Sequence, residues 1–350
     1  MRKLTLFTAV GAVVLIGAAA AVRFVALPAL YQLPADLDTT VQLSGTADLV
    51  DAAALQTGDL AKAMRPDTPV VVRERVRVSS TDGAVAVVLD ETTMTGPNQT
   101  SLVASHRTWA VSRTTMEAAP APAGATVQPH EGLVVGFPLS PQARDYTYWD
   151  TSTETAVPAK YLRAERKADR DTYVYQVQAS GPLKDADTLA GLPSTLSKEA
   201  ILGLAASLPP AQQQLLAPLA GLLPAQIPLT YTTTTDTTFW IDTLTGSPVD
   251  VHRKQVIAAG PPGGFAGIKL PTEFTVELAY TPDTVTASRD LSASAQQSLF
   301  LFGTVTPLGL VVLGLILALV AIVSFARRRR TAPPPAPAPA PDPAPVNEPV

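Results

Sequence analysis

Apolar positions along this chain follow two different rules. Near the ends they run on without interruption. LTLFTAVGAVVLIGAAAAV covers Leu4 to Val22 behind Arg2 and Lys3, and LGLVVLGLILALVAIVSF covers Leu308 to Phe325 with no charged residue. Between these runs, apolar and polar residues mostly alternate, with Val and Thr frequent. About 18–20 apolar residues in a helix cross the hydrocarbon core of a bilayer. Alternation with a period of two marks a half-buried strand. The pattern predicts a mainly β (α+β) domain flanked by two transmembrane helices.

The resulting boundaries are a cytoplasmic N-terminus at 1–3, a first span at 4–22 and a β-rich extracytoplasmic domain at 23–298. A second span follows at 299–326, with a cytoplasmic basic and Pro/Ala-rich tail at 327–350. Arg327, Arg328, Arg329 and Arg330 set the orientation, because clustered Lys and Arg beside a span stay on the cytoplasmic side. The first span can also be read as a cleaved secretory signal, but its length fits a retained anchor better. Both readings place the protein in the cytoplasmic (plasma) membrane with the bulk of the chain outside. The tail, TAPPPAPAPAPDPAPVNEPV, has too much proline for helix or sheet and reads as an extended, disordered segment.

One internal stretch departs from strand alternation. Residues 190–226 contain LSKEAILGLAASL and PPAQQQLLAPLAGLLP, which read as two short helices. They are more apolar than a single amphipathic stripe requires. The expectation is that they cover the open face of the sheet.

Two strand regions carry finer signals. In PVVVRERVRVSSTDGAVAVVLDET (69–92), Asp82-Gly83 predicts a two-residue hairpin turn. Pairing outward from it sets Val78 opposite Val87, Val76 opposite Leu89, and Arg75 opposite Asp90. Arg73, Arg75 and Arg77 then share a solvated face. In TTFWIDTLTGSPVD (237–250), Phe239 and Ile241 point one way while Trp240 and Asp242 point the other. Asp242 is placed to accept loop N–H groups as an Asx-turn, and Gly246 to take a positive φ. YTYWDTSTETAVP (146–158) repeats this arrangement with Trp149 and Asp150. Trp149, Asp150, Trp240, Asp242 and Gly246 are therefore read as structural turn residues.

Composition removes several chemistries. The chain has no cysteine, so disulfides and thiolate sites are excluded. His106, His130 and His252 lie far apart without metal-ligand spacing. No nucleophile elbow, zinc-protease helix, phosphate loop or dinucleotide fingerprint is present. The expected catalytic, cofactor-binding and metal residues are accordingly none. Residues 24–298 hold 19 Lys and Arg against 28 Asp and Glu. An acidic domain repels phosphate backbones, which argues against a nucleic-acid partner.

LPADLDTTVQLSGTADLVD (33–51), GFPLSPQARDYTYWD (136–150) and FWIDTLTGSPVDVHRKQ (239–255), set between two terminal spans, resemble the actinobacterial porin PorA family. The resemblance implies an envelope channel. The residues themselves point elsewhere, because an outer-membrane barrel shows many strands with a lipid-facing side and no helical spans. The role expected from the residues is to bind or pass an apolar envelope molecule, such as a lipid, between the sheet and the 190–226 helices, without catalysis. One alternative is a pore-forming, porin-like envelope protein. Another is a membrane-anchored scaffold or sensor using the Pro/Ala tail. The lipid bilayer is the expected partner in every case, and the oligomeric state stays open.

Overall fold

The computed structural model describes residues 2–51, 54, 64–205, 210, 213, 214, 221, 223–260 and 273–330. Its chain divides into two compact units, one made of Met1–Pro28 with Leu299–Val350, the other of Ala29–Ser298. Helices used below are α1 (Arg2–Ala21), α2 (Ala186–Ala190), α3 (Lys198–Ala205), α4 (Pro282–Phe300) and α5 (Thr306–Arg330). The strands are β1 (Asp38–Val50), β2 (Met64–Asp82), β3 (Val85–Thr95), β4 (Ser101–Ser112), β5 (Tyr146–Asp150), β6 (Thr155–Lys167), β7 (Arg170–Pro182), β8 (Thr195–Ser197), β9 (Gln226–Pro228), β10 (Thr230–Asp242), β11 (Pro248–Gly260) and β12 (Glu273–Tyr280).

In the smaller unit, α1 and α5 pack side by side. A Cβ added at Gly314 would lie 2.9 Å from Ile16 Cγ1, so the missing side chain is what lets the two backbones approach. Large apolar side chains such as Phe7, Leu308 and Ile322 point away from the pair and are exposed. Among the described residues one helix, ending in α5, is long and apolar enough to cross a membrane, and the apolar part of the N-terminal helix, Val10–Ala26, is shorter. The expected two spans thus appear as one full-length candidate and one short apolar helix.

In the larger unit, ten antiparallel strands form one sheet in the order β4-β3-β2-β1-β12-β11-β10-β7-β6-β5. Two meanders meet where β1 pairs with β12. The sheet is strongly curled. Thr235 on β10 bonds Asp150 on β5 at 2.8 Å although two strands separate them. In a flat sheet that separation would be about 14 Å. The free edges, β4 and β5, are linked at one end through the segment between them, by the bridges Val111–Ala118, Glu117–Leu133 and Leu133–Tyr148. The result is a half-barrel closed on one side by two short staves.

That closed end is filled with apolar side chains. Leu43, Val72, Val88, Val111, Tyr175 and Ile241 converge there, and the β4–β5 segment contributes Met116, Leu133, Val134 and Phe137. Phe137 stacks on Tyr175 with ring centroids 4.6 Å apart. The convex face is charged instead. Lys254 and Glu277 pair there with about half of each side chain exposed, and Arg75 bonds Asp38.

The hairpin of β2 and β3 departs from the sequence expectation. Asp82 pairs with Val85, so the turn residues are Gly83 and Ala84, and the register shifts again between Val78 and Ser80. Gly83 has φ +55, the left-handed entry of a turn with glycine first. Arg75 faces Glu91, while Asp90 lies opposite Val76. A one-residue slip moves every side chain to the other face. Asp90 therefore points into the half-barrel instead of pairing with Arg75 outside.

The described part of the insertion holds two short helices and a two-stranded pair. β8 pairs with β9, α3 follows β8, and Leu196, Ala200, Ile201, Leu223 and Ile227 form a small core of their own. α2 precedes it, and Leu189 and Leu192 pack on Leu183, Tyr231, Ile257, Ala259 and Phe274. Most of the second predicted helix, and the tail at 331–350, lie outside the described residues.

Candidate functional site

Strand alternation places a set of polar side chains on the same concave face as the apolar core. They are Glu74, Asp90, Thr92, Ser105 and Arg107 from β2–β4, and Thr233, Thr235, Thr237, Arg253 and Gln255 from β10–β11. Arg253 Nη1 meets Glu74 Oε1 at 2.7 Å across β1 and β12. Both face inward, yet 33% and 19% of their side-chain surfaces remain accessible. Solvent reaches the interior at this level. Around them Thr235 donates to Asp150, and Gln255 donates to Thr233 and Ser152 at 3.2 Å. Arg107 Nη2 holds Asp185, at the start of α2, at 2.7 Å.

The predicted turn residues sit elsewhere. Asp242 Oδ1 accepts the N–H groups of Leu244 and Thr245 and the Thr245 hydroxyl, at 2.8–3.0 Å. Its Oδ2 accepts from Arg170 Nε at 2.7 Å, a partner the sequence did not suggest. Gly246 has φ +70, and a Cβ there would lie 2.1 Å from the Pro138 carbonyl oxygen. Asp150 accepts from the N–H and hydroxyl of Thr153 at 2.8 Å, as well as from Thr235. Asp150 thus meets β10 seven residues before Asp242, roughly 20 Å along the strand. The two carboxylates cannot act as one acid–base pair. Trp240 lies on the convex face, donating to Glu165 with the Lys167 ammonium 4.4 Å from its ring centre. Trp149 packs against the core, and its backbone N–H donates to the Leu133 carbonyl. Arg327–Arg330 close α5. No group of three or more His, Cys, Asp and Glu that could hold a metal occurs among the described residues.

With this geometry in place, residues 4–323 match the family described as Porin PorA. The chain belongs to the porin PorA family. Membership implies association with a membrane of the cell envelope. No curated protein matches the chain. Three solved structures align with it weakly. The peroxisomal multifunctional enzyme type 2 of Drosophila melanogaster is 12% identical over 69% of this chain and 36% of its own, with a TM-score of 0.13. A MaoC domain protein dehydratase from Chloroflexus aurantiacus is 12% identical over 77% of this chain and 80% of its own, at 0.14. A mutant of the Rh. blastica porin is 8% identical over 70% of this chain and 99% of its own, at 0.17. TM-scores this low say nothing about the fold or function of the PorA-family chain.

The interior of this PorA-family half-barrel is electrostatically uneven. The Glu74 carboxylate is the main cause holding Arg253 above its ordinary pKa. Burial pushes the Tyr148 and Tyr280 hydroxyls up, so both are neutral donors at physiological pH. Burial, then the Glu74 charge, raises Asp90, with Arg107, Trp109 and Arg253 pulling part of the way back. The sequence reading missed this row. Its readable trace was Glu74, a single acidic residue interrupting the apolar face Val72, Val76, Val78.

Proposed function

We propose that this chain is a pore-forming envelope protein, without catalysis, in which the polar interior of the half-barrel is the passage for small polar solutes. Its terminal helices hold it in the cytoplasmic membrane, with the half-barrel outside and both termini inside. The observation that carries this reading is the accessible Arg253–Glu74 pair in the interior of a porin-family domain. A charged lining lowers the cost of admitting polar solutes, which an apolar interior would reject. The close α1–α5 packing at Gly314 supports a retained N-terminal anchor.

The test is planar-bilayer recording of the purified full-length protein, where discrete conductance steps are expected. A silent bilayer, with the protein shown by protease protection to be inserted, overturns the pore reading. For orientation, a cysteine at Ser180 should react with an impermeant maleimide in intact cells, and one at Thr331 should not.

A second reading, carriage of an apolar envelope molecule, is favoured by the cluster Leu183, Tyr231, Ile257, Ala259 and Phe274 beneath α2. It predicts lipid co-purifying with the protein in native mass spectrometry, and its absence counts against it.

A further inference from the structure

The wall of the half-barrel has a seam. β4 and β5 are its edges, and the staves at 117–119 and 132–133 seal them alongside Ala110–Ser112 and Thr147–Trp149, with the Gln128 N–H on the Thr108 carbonyl extending the seal by one contact. Beyond the staves the seam is crossed by the segment carrying α2. Lys184 and Asp185 donate their N–H groups to the Ser152 carbonyl in the β5–β6 turn, at 2.8 and 3.4 Å. From β4, Arg107 reaches across to Asp185, with 15% and 14% of the two side chains accessible. Thr188 also donates to Asp185, at 2.6 Å. Behind the seam lies the polar interior.

Arg107 has a second carboxylate in reach. Asp90 is its direct cross-strand partner, on the same inward face. Side chains in that relation start from Cβ atoms only about 5 Å apart. The other inward carboxylates are well supplied: Glu74 by Arg253, Asp150 by three donors, and Asp185 by Arg107 and Thr188. Asp90 has a single long bond, 3.5 Å from Trp109 Nε1.

We infer that residues 184–190 are a strap over a lateral entrance to the interior, latched when Arg107 holds Asp185 and released when Arg107 turns to Asp90. One cation with two competing anions gives two discrete arrangements, which is what a gate needs. Opening then leaves Arg107 paired in either state, so release does not strand a half-buried charge. The inference rests on the pore reading for its purpose, since the strap would admit solute to the same interior. Its test does not depend on conductance.

The chain has no cysteine, so Ser105→Cys provides a single thiol on the interior face at a position that is only 3% exposed in the latched structure. The rate at which a small neutral maleimide labels it in the detergent-solubilised full chain reports opening. Asp185→Asn should speed labelling about tenfold by removing the latch. Asp90→Asn should slow it by about threefold, because the competing anion is gone. Arg107→Asp combined with Asp185→Arg should bring the rate back near that of the parent. Asp236→Asn, on the convex face, is the control and should change nothing. If Asp185→Asn does not fold, Arg107→Gln takes its place with the same expected rise. An unchanged rate on losing the latch overturns the gate. An Asp90→Asn rate equal to or above the parent's overturns the exchange. Silent bilayers with these rate changes intact would remove the pore reading and leave the strap standing.

Discussion

Asp242 and Asp90 are the same residue in opposite situations. Asp242 lies at the β10–β11 turn with 1% of its surface accessible, and four donors converge on its two oxygens. Burial alone would raise its pKa, but the Arg170 bond and the loop N–H groups outweigh burial and hold it below the ordinary value. Asp90 lies in the polar interior with one long bond, and burial carries its pKa upward. The turn uses its carboxylate to fix one conformation. The interior leaves its carboxylate underused, and an underused charge can change partners. Rigidity and response are thus divided between two places in one sheet.

The comparison breaks most visibly at Gly246. Gly246→Val would place a β-branched residue at φ +70, with its Cβ against the Pro138 carbonyl. The loss should be on the order of 4 kcal/mol or more, read as a collapse of the thermal transition. Next is Asp242→Ala, which removes three local acceptor contacts and the counter-ion of Arg170, which keeps only its bond to Gln296 Oε1 and has 13% of its side chain accessible. Breaking a buried pair in this way costs about 3–5 kcal/mol. Asp242→Asn keeps an oxygen for the loop but loses the charge facing Arg170, so about 1–3 kcal/mol is expected from urea melts. An Asn variant as stable as the parent would show that Arg170 contributes nothing to the turn.

The smallest effect, and the most discriminating, is at Asp90. Its folded pKa lies above the unfolded value, so the folded state holds the proton more tightly. Its contribution to stability therefore falls as pH rises from the ordinary carboxylate range through the raised pKa. Asp242 behaves oppositely, contributing above its unfolded pKa and losing that as pH falls through the lowered one. Asp90→Asn should flatten the first slope, leave the second, and be at least as stable as the parent at neutral pH, by about 1 kcal/mol or less. A variant clearly less stable at neutral pH would show that Asp90 is well paired after all.

These two aspartates also mark what the sequence could and could not tell. The turn was legible because its grammar is local: an Asp before three loop residues, a glycine at the positive-φ position, and a proline starting the return strand. Arg170 was not legible, since it arrives from β7, 72 residues away. Alternation in β10 assigned Phe239 and Ile241 to one face, and both lie in the core. Asp90 was misplaced because the register shifts by one residue between Val78 and Ser80, a bulge with no local sequence signal. That shift inverts the pairing beyond it, whereas the choice of turn residues alone moves the partner by two and keeps the face. With Asp90 put outside, the polar interior could not be assembled from the sequence. The closure of β4 onto β5 was equally hidden, because the 113–145 segment is rich in Pro and Ala and shows no strand pattern.

The passage through the half-barrel is tested most directly by recording single-channel currents from the full chain carrying Thr92→Cys while a thiol-reactive methanethiosulfonate is added. Stepwise reduction of the unitary current, reversed by a reductant and absent in the cysteine-free parent, is the expected result. Currents that stay unchanged after the thiol is shown by mass to be modified would place the conducting path outside this interior and contradict the proposal.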